Sequence, residues 1–222
     1  MPAENSVLSD RLLAQYDLAI GDFDHIIKIN PDHVEAFNSR ALAYASTGAY
    51  DQAIADLDEV LRIDPDNAAT YHLRGSLYCL INEYDRAIAD LTRAISLDPD
   101  NAETYANRAA AYSSKGEHVL AVADYDQTIQ LTPNDSVGYY GRGIACYNLG
   151  NYRCAISDLS QVVKQTPERD RAYYYRGLAY RAEGEDRKAA SDFRKVMQVS
   201  GDQELRKQAE QQLQMLEDES QM

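Results

Sequence analysis

The stretch IDPDNAATYHLRG, Ile63 to Gly75, returns thirty-four residues later as LDPDNAETYANRA, Leu97 to Ala109. A catalytic motif is written once, whereas a phrase that returns at a fixed spacing is architecture. Pro31, Pro65, Pro99, Pro133 and Pro167 carry the same period through five of the six prolines. Counted from the third residue after each proline, the chain contains five full units: 34–67, 68–101, 102–135, 136–169 and 170–203.

Residue types recur at fixed offsets within the units. Offset 4 holds Phe37, Tyr71, Tyr105, Tyr139 and Tyr173; offset 7 holds Arg40, Arg74, Arg108, Arg142 and Arg176. Offset 8 is Ala41, Gly75, Ala109, Gly143 and Gly177; offset 11 is Tyr44, Tyr78, Tyr112, Cys146 and Tyr180. Offset 20 is always alanine, and offset 24 is Leu57, Leu91, Tyr125, Leu159 and Phe193. At 100° per residue, offsets 4, 7, 8 and 11 form one helical stripe and offsets 17, 20, 24, 27 and 28 a second. Between them stands Gly48, Asn82, Gly116, Gly150 or Gly184, residue types that tolerate the left-handed backbone ending a helix. Asp-Pro-Asp-Asn then stops the second helix, and Asn67, Asn101, Asp135 or Asp170 is expected to cap the next. The opening phrase is therefore a stop signal followed by a start signal.

These offsets resemble the tetratricopeptide repeat (TPR), with Tyr or Phe for the usual Trp, Arg for the usual Leu at offset 7, and Gly201 for the last proline. The resemblance covers residues 14 to about 203 and implies an all-α fold: a right-handed superhelical solenoid of antiparallel helix pairs. Residues 16–31 match only the second helix of a repeat, so 1–33 is expected to be a half-repeat, with Ser9 capping a single helix that runs toward Ile29. Either the solenoid starts there or an upstream portion is lacking. At the other end, residues 204–222 are expected to form a capping helix with Leu205, Ala209, Leu213 and Leu216 on one side, fraying beyond Asp218.

Composition bounds the function. No apolar run approaches the ~18–20 residues of a membrane span, and MPAENS lacks a signal region. Cys79, Cys146 and Cys154 read as small buried or half-buried residues of a reducing compartment, which makes cytoplasm the default. The net charge of −14 falls entirely on residues 1–135, with 9 basic and 23 acidic side chains; residues 136–222 carry 13 of each. An acidic surface disfavours nucleic acid, and Arg187, Lys188, Arg194 and Lys195 on the last second helix read as ordinary solvated charges. No phosphate-cradling loop, nucleophile elbow or metal-ligand spacing is present, and the four histidines share no offset. No catalysis, cofactor or metal is expected.

Arg at offset 7 is matched by Asp at offset 23: Asp56, Asp90, Asp124, Asp158 and Asp192, with Asp22 in the half-repeat. These read as partly buried ion pairs at the core edge that set helix register. The spacing leaves open whether each Arg bonds within its own repeat or to the preceding one.

In proteins similar to this the first helices line a concave wall along which peptides lie. Here that wall offers Asn38 in the first repeat, His72 in the second and Asn107 in the third, then changes character with Tyr140, Ile144 and Tyr147, followed by Arg171, Tyr174, Tyr175 and Arg181. Thirteen of the seventeen tyrosines sit at framework offsets; the remaining four, Tyr140, Tyr147, Tyr174 and Tyr175, all fall on this wall. Tyr and Arg dominate binding hot spots because they bury area while keeping a polar handle. The expected role is non-catalytic capture of a partner peptide or helix, the alternative for the tyrosines being that they pack against one another. Self-association, or service as the targeting or regulatory arm of a larger enzyme, are the rival functions. The Lys and Asn set by which some family members grip chaperone C-terminal tails is replaced here by Asn38, Leu42, Leu73, Glu103 and Asn107, so such a tail is not an expected ligand.

Overall fold

Two apolar stripes per period, separated by one residue that accepts positive φ, dictate two helices per period. The computed structural model describes residues 2–219. Its helices are α1 (Pro2–Ile29), α2 (Val34–Ser46), α3 (Tyr50–Ile63), α4 (Ala68–Leu80), α5 (Tyr84–Leu97), α6 (Ala102–Ser114), α7 (His118–Leu131), α8 (Ser136–Asn148), α9 (Tyr152–Gln165), α10 (Asp170–Ala182), α11 (Asp186–Val199) and α12 (Gln203–Glu219). The chain divides into two compact units, one reaching Thr104 and the other starting at Tyr105. In the first, α2 packs on α3 and α4 on α5, with α1 against α2 and α3 against α4. In the second, α8 packs on α9 and α10 on α11, α7 and α9 join successive hairpins, and α12 lies against α11.

Every hairpin turns where the sequence places it: φ is 80° at Gly48, 61° at Asn82, 78° at Gly116, 75° at Gly150 and 74° at Gly184. The periodic small and apolar offsets form the core. Ala53, Ala87, Ala121, Ala155 and Ala189 are fully buried, as are Leu57, Leu91, Leu159 and Phe193. Small alanines let the helices approach, and the large side chain four residues on fills the space between them.

Asn67, Asn101 and Asp135 cap as expected, accepting from the backbone N–H of Thr70 at 3.0 Å, Thr104 at 3.1 Å and Val137 at 3.0 Å. Replacing Asn67 with alanine is expected to cost about 1 kcal/mol, read as a lower urea midpoint for the first unit. Asp170 does not cap. It stands one offset later than the other three, already inside α10, so Arg169 occupies the cap position and the Asp170 carboxylate accepts from the Ser200 hydroxyl at 2.6 Å. Ser9 is not a cap either, because α1 starts at Pro2 and runs through it; proline suits a first helical position, having no N–H to leave unpaired. No separate first helix precedes α1 among the described residues, and Ile26 is 36% exposed where Val60, its equivalent one repeat on, is 0%. On α12, Leu205, Ala209 and Leu216 are buried against Phe193 and Val196, with Leu213 beside them. The helix continues through Glu219, and residues 220–222 of the tail expected to fray lie outside the described residues.

The offset-7 arginines bond within their own repeat. The Nε and one terminal nitrogen of Arg74, Arg108, Arg142 and Arg176 donate to the two oxygens of Asp90, Asp124, Asp158 and Asp192 at 2.7–2.8 Å; Arg40 holds Asp56 in the same way. These aspartates are buried rather than at the core edge, with exposures of 3–7%. A third nitrogen reaches back to offset 25 of the preceding repeat: Arg40 to Asp24, Arg74 to Asp58, Arg142 to Asp126 and Arg176 to Ser160. Each such guanidinium ties its own hairpin together and clasps the previous one. Donating to Asp56, Asp90 and Asp158 raises the pKa of Arg40, Arg74 and Arg142 against the opposing effect of burial.

The reduced state expected of the cysteines holds for Cys79 alone. Cys146 and Cys154 form a disulfide between α8 and α9, their Cα atoms 5.9 Å apart. The thiol-based argument for a reducing compartment therefore loses two of its three cysteines.

Candidate partner-binding surface

Helical spacing places Tyr140, Ile144 and Tyr147 on one face of α8, and Arg171, Tyr174, Tyr175 and Leu178 on one face of α10. The second unit brings these faces together. The Tyr147 ring lies 5.7 Å from that of Tyr175, edge-on, and Tyr175 lies 5.8 Å from Tyr174 in the same manner. Edge-to-face aromatic pairs at such separations are favourable because the positive rim of one ring meets the negative face of the other. Tyr152 extends the run at 5.8 Å from Tyr147, and Phe193 backs Tyr174 at 6.0 Å. Tyr140 is covered by the Arg169 guanidinium, 3.8 Å from its ring centroid, a cation–π stack.

The four non-framework tyrosines are half-buried: their bodies rest on the buried cores of the hairpins and their surfaces are partly open to solvent. Burial pushes the Tyr147 and Tyr174 phenols above their ordinary pKa, and does the same to Tyr140 against the opposing charge of Arg169. All three therefore present neutral hydroxyls that can donate as well as accept. Beside them Arg171, Tyr174, Tyr175, Asp202, Glu204, Leu205 and Gln208 line a cleft of about 180 Å3 between α10 and α12. Arg171 is exposed and lies 3.6 Å from Asp202.

The other expected residues are placed differently. Arg181 donates to Gln212 at 2.7 Å and so ties α10 to α12. His72 shares a 2.9 Å hydrogen bond with the Thr104 hydroxyl, and Asn38 is half-buried on α2; both belong to the first unit. Asn107 is half-buried on α6. Sequence reasoning missed Arg169, Tyr152, Asp202 just before α12, and Gln208 on α12. Tyr152 occupies a framework offset, and the rest fall outside the first-helix offsets that line the wall.

Among the described residues one trio could gather around a metal: Cys146, Cys154 and Asp158. Its two sulfurs are bonded to each other and both Asp158 oxygens already accept from Arg142, so the arrangement does not suit a cation. No helix is long and apolar enough to cross a membrane among the described residues.

Helical hairpins of thirty-four residues, with framework alanine and leucine side chains buried and a separate half-buried aromatic set on the first helices, define an α-helical repeat protein. A profile described as TPR repeat matches residues 41–79 and 75–116, and tetratricopeptide repeat profiles match 102–135 and 140–198. The chain belongs to the tetratricopeptide repeat family. No curated protein matches it in sequence. Among solved structures, MamA is 26% identical with a TM-score of 0.70, over 75% of this chain and 91% of MamA. YrrB, described as a TPR protein with an unusual peptide-binding site, is 23% identical with a TM-score of 0.72, over 85% of this chain and 97% of YrrB. MamA from Desulfovibrio magneticus RS-1 shares the fold at 19% identity, TM-score 0.72, over 75% of this chain and 94% of that one.

Proposed function

We propose that the chain is a non-catalytic protein-interaction scaffold that holds an extended peptide or helix of a partner against the α8–α10 face of its second unit. The observation that carries this reading is the gathering of Tyr140, Tyr147, Tyr174 and Tyr175, which the repeat framework does not require, into one half-open aromatic surface. Its rings offer large apolar area at low entropic cost and its neutral phenols offer hydrogen bonds. Arg169 and Arg171 are both exposed at its rim. The fitting occupant therefore presents an apolar anchor next to a carboxylate. The peptide-binding site described for YrrB, on the same fold, is in keeping with this use.

Selection of a random-peptide phage library on the immobilised protein tests the reading. A consensus combining an apolar and an acidic residue is expected. Tyr147→Ala with Tyr174→Ala should weaken its binding by about 30-fold or more, as hot-spot truncations do. Because these rings pack on Tyr152, Tyr175 and Phe193, the alanine pair will also lower the melting temperature. Tyr147→Phe with Tyr174→Phe keeps the packing and removes only the hydroxyls, and is expected to weaken binding at an unchanged melting temperature. A library that yields no consensus, or peptides that bind the alanine pair undiminished, would remove the proposal.

A further inference from the structure

We infer that Cys146 and Cys154 are a reversible redox couple that staples and releases the α8–α9 hairpin beneath Tyr147. The other repeats show why the bond forms there. Offset 11 holds tyrosine in every repeat but the fourth, and offset 19 holds Arg86 in the second and Lys188 in the fifth. In those two repeats the cation lies over the ring, Arg86 at 5.5 Å from the Tyr78 centroid and Lys188 at 5.3 Å from that of Tyr180. In both of these repeats the hairpin thus brings offsets 11 and 19 face to face across the turn. In the fourth repeat they are Cys146 and Cys154, and a covalent bond takes the place of the cation–π contact. The Cα separation of 5.9 Å lies in the range that a disulfide spans without backbone movement. The hairpin can therefore gain or lose the bond while keeping its fold.

The two sulfurs differ in access. Cys146 is 3% exposed, whereas Cys154 is half-buried. A thiolate of a dithiol reductant therefore attacks Cys154 Sγ, and the electron pair of the S–S bond leaves on Cys146 Sγ, which takes up a proton. The reductant's second thiolate then attacks its own sulfur in the mixed disulfide. That releases Cys154, which also takes a proton, and leaves the reductant as a cyclic disulfide. Two electrons and two protons pass to the protein. Tyr147 directly follows Cys146, and its ring meets Tyr152 on α9 and Tyr175 on α10. Breaking the bond removes the covalent tie between α8 and α9 at the point where the aromatic run crosses between hairpins, while Arg142 still holds Asp158. The consequence for partner capture rests on the function proposed above; the couple itself does not.

The test needs no partner. The full chain is equilibrated in mixtures of reduced and oxidised dithiothreitol. Iodoacetamide labelling with peptide mass mapping reads the state of each cysteine, and hydrogen exchange reads the hairpins. The couple is expected to titrate reversibly in the folded protein. Amides of residues 136–165 should exchange on the order of 10–100-fold faster once it is reduced, the effect of removing a short loop closure, while residues 34–63 stay unchanged. Replacing Cys146→Tyr together with Cys154→Arg restores the pairing of the second repeat and should give slow exchange in both buffers. Alkylation of both cysteines in every mixture, a bridge that opens only on unfolding, or equal exchange in the two states would each overturn the inference.

Discussion

Replacing Arg74 with methionine is expected to destabilise the first unit by about 3–5 kcal/mol, the cost of leaving a buried charge without its partner. The loss falls on Asp90, whose two oxygens accept from Arg74 at 2.7 Å and which is only 7% exposed. Asp58, the other carboxylate on this guanidinium, is exposed and can turn to water, so it adds little. Methionine keeps most of the aliphatic stem, which separates the charge effect from lost packing. The double variant Arg74→Met, Asp90→Leu removes both charges and is expected to cost less than half as much, because an apolar pair of similar volume suits a buried site. Urea denaturation of the parent, Arg74→Met, Asp90→Leu and the double variant closes the cycle. Equal losses in the single and double variants would mean that the guanidinium acts by packing alone, and that the repeated Arg–Asp pair is not what locks each hairpin.

That pair also marks where the sequence stops being readable. An offset common to every repeat reveals that Arg and Asp belong together, but periodicity itself hides which copies touch, since each Arg has an Asp sixteen residues ahead and another eighteen behind. The backward clasp was harder still. It uses Asp24, Asp58 and Asp126, but Ser160 in the fourth repeat, so no constant letter announces it. Helix caps depend on the single residue that leaves helical φ and ψ, and a neighbouring Asp170 competes in sequence with Arg169 although only one can occupy that place. The disulfide was legible in principle, because offsets 11 and 19 already carry Tyr78 with Arg86 and Tyr180 with Lys188, but only when offsets are compared across the turn rather than along one stripe. For the candidate surface, subtraction of the framework tyrosines found the four rings. Their contacts with one another and the cation over Tyr140 come from packing between helices, which no single stripe encodes.

Gly141→Ala is expected to destabilise the second unit by about 1–3 kcal/mol, although alanine is the better helix former by about 1 kcal/mol. The steric term decides the sign. A Cβ at Gly141 would run into the ring of Tyr125, meeting Cζ and Cε1 and standing 2.6 Å from the hydroxyl oxygen. Tyr125 has no room to retreat: it is 7% exposed, and burial pushes its phenol up to about 12 against the opposing hydrogen bond to Ser113. The pair is a local exception to the repeat. Offset 24 is Leu or Phe in the other repeats, and offset 6 is Ser39, Leu73, Asn107 or Tyr175. A longer residue at one offset is thus matched by the absence of a side chain at the other. Tyr125→Leu alone leaves a void and the Ser113 hydroxyl without its partner, a separate loss of about 2 kcal/mol. Combined with Gly141→Ala it restores two ordinary repeat contacts, so the double variant should be more stable than the sum of the single losses predicts by about 1–2 kcal/mol. Urea midpoints of the two single variants and the double give that coupling directly. A Gly141→Ala protein more stable than the parent, or losses that simply add, would show that α8 shifts away from Tyr125 at little cost and that the complementarity is incidental.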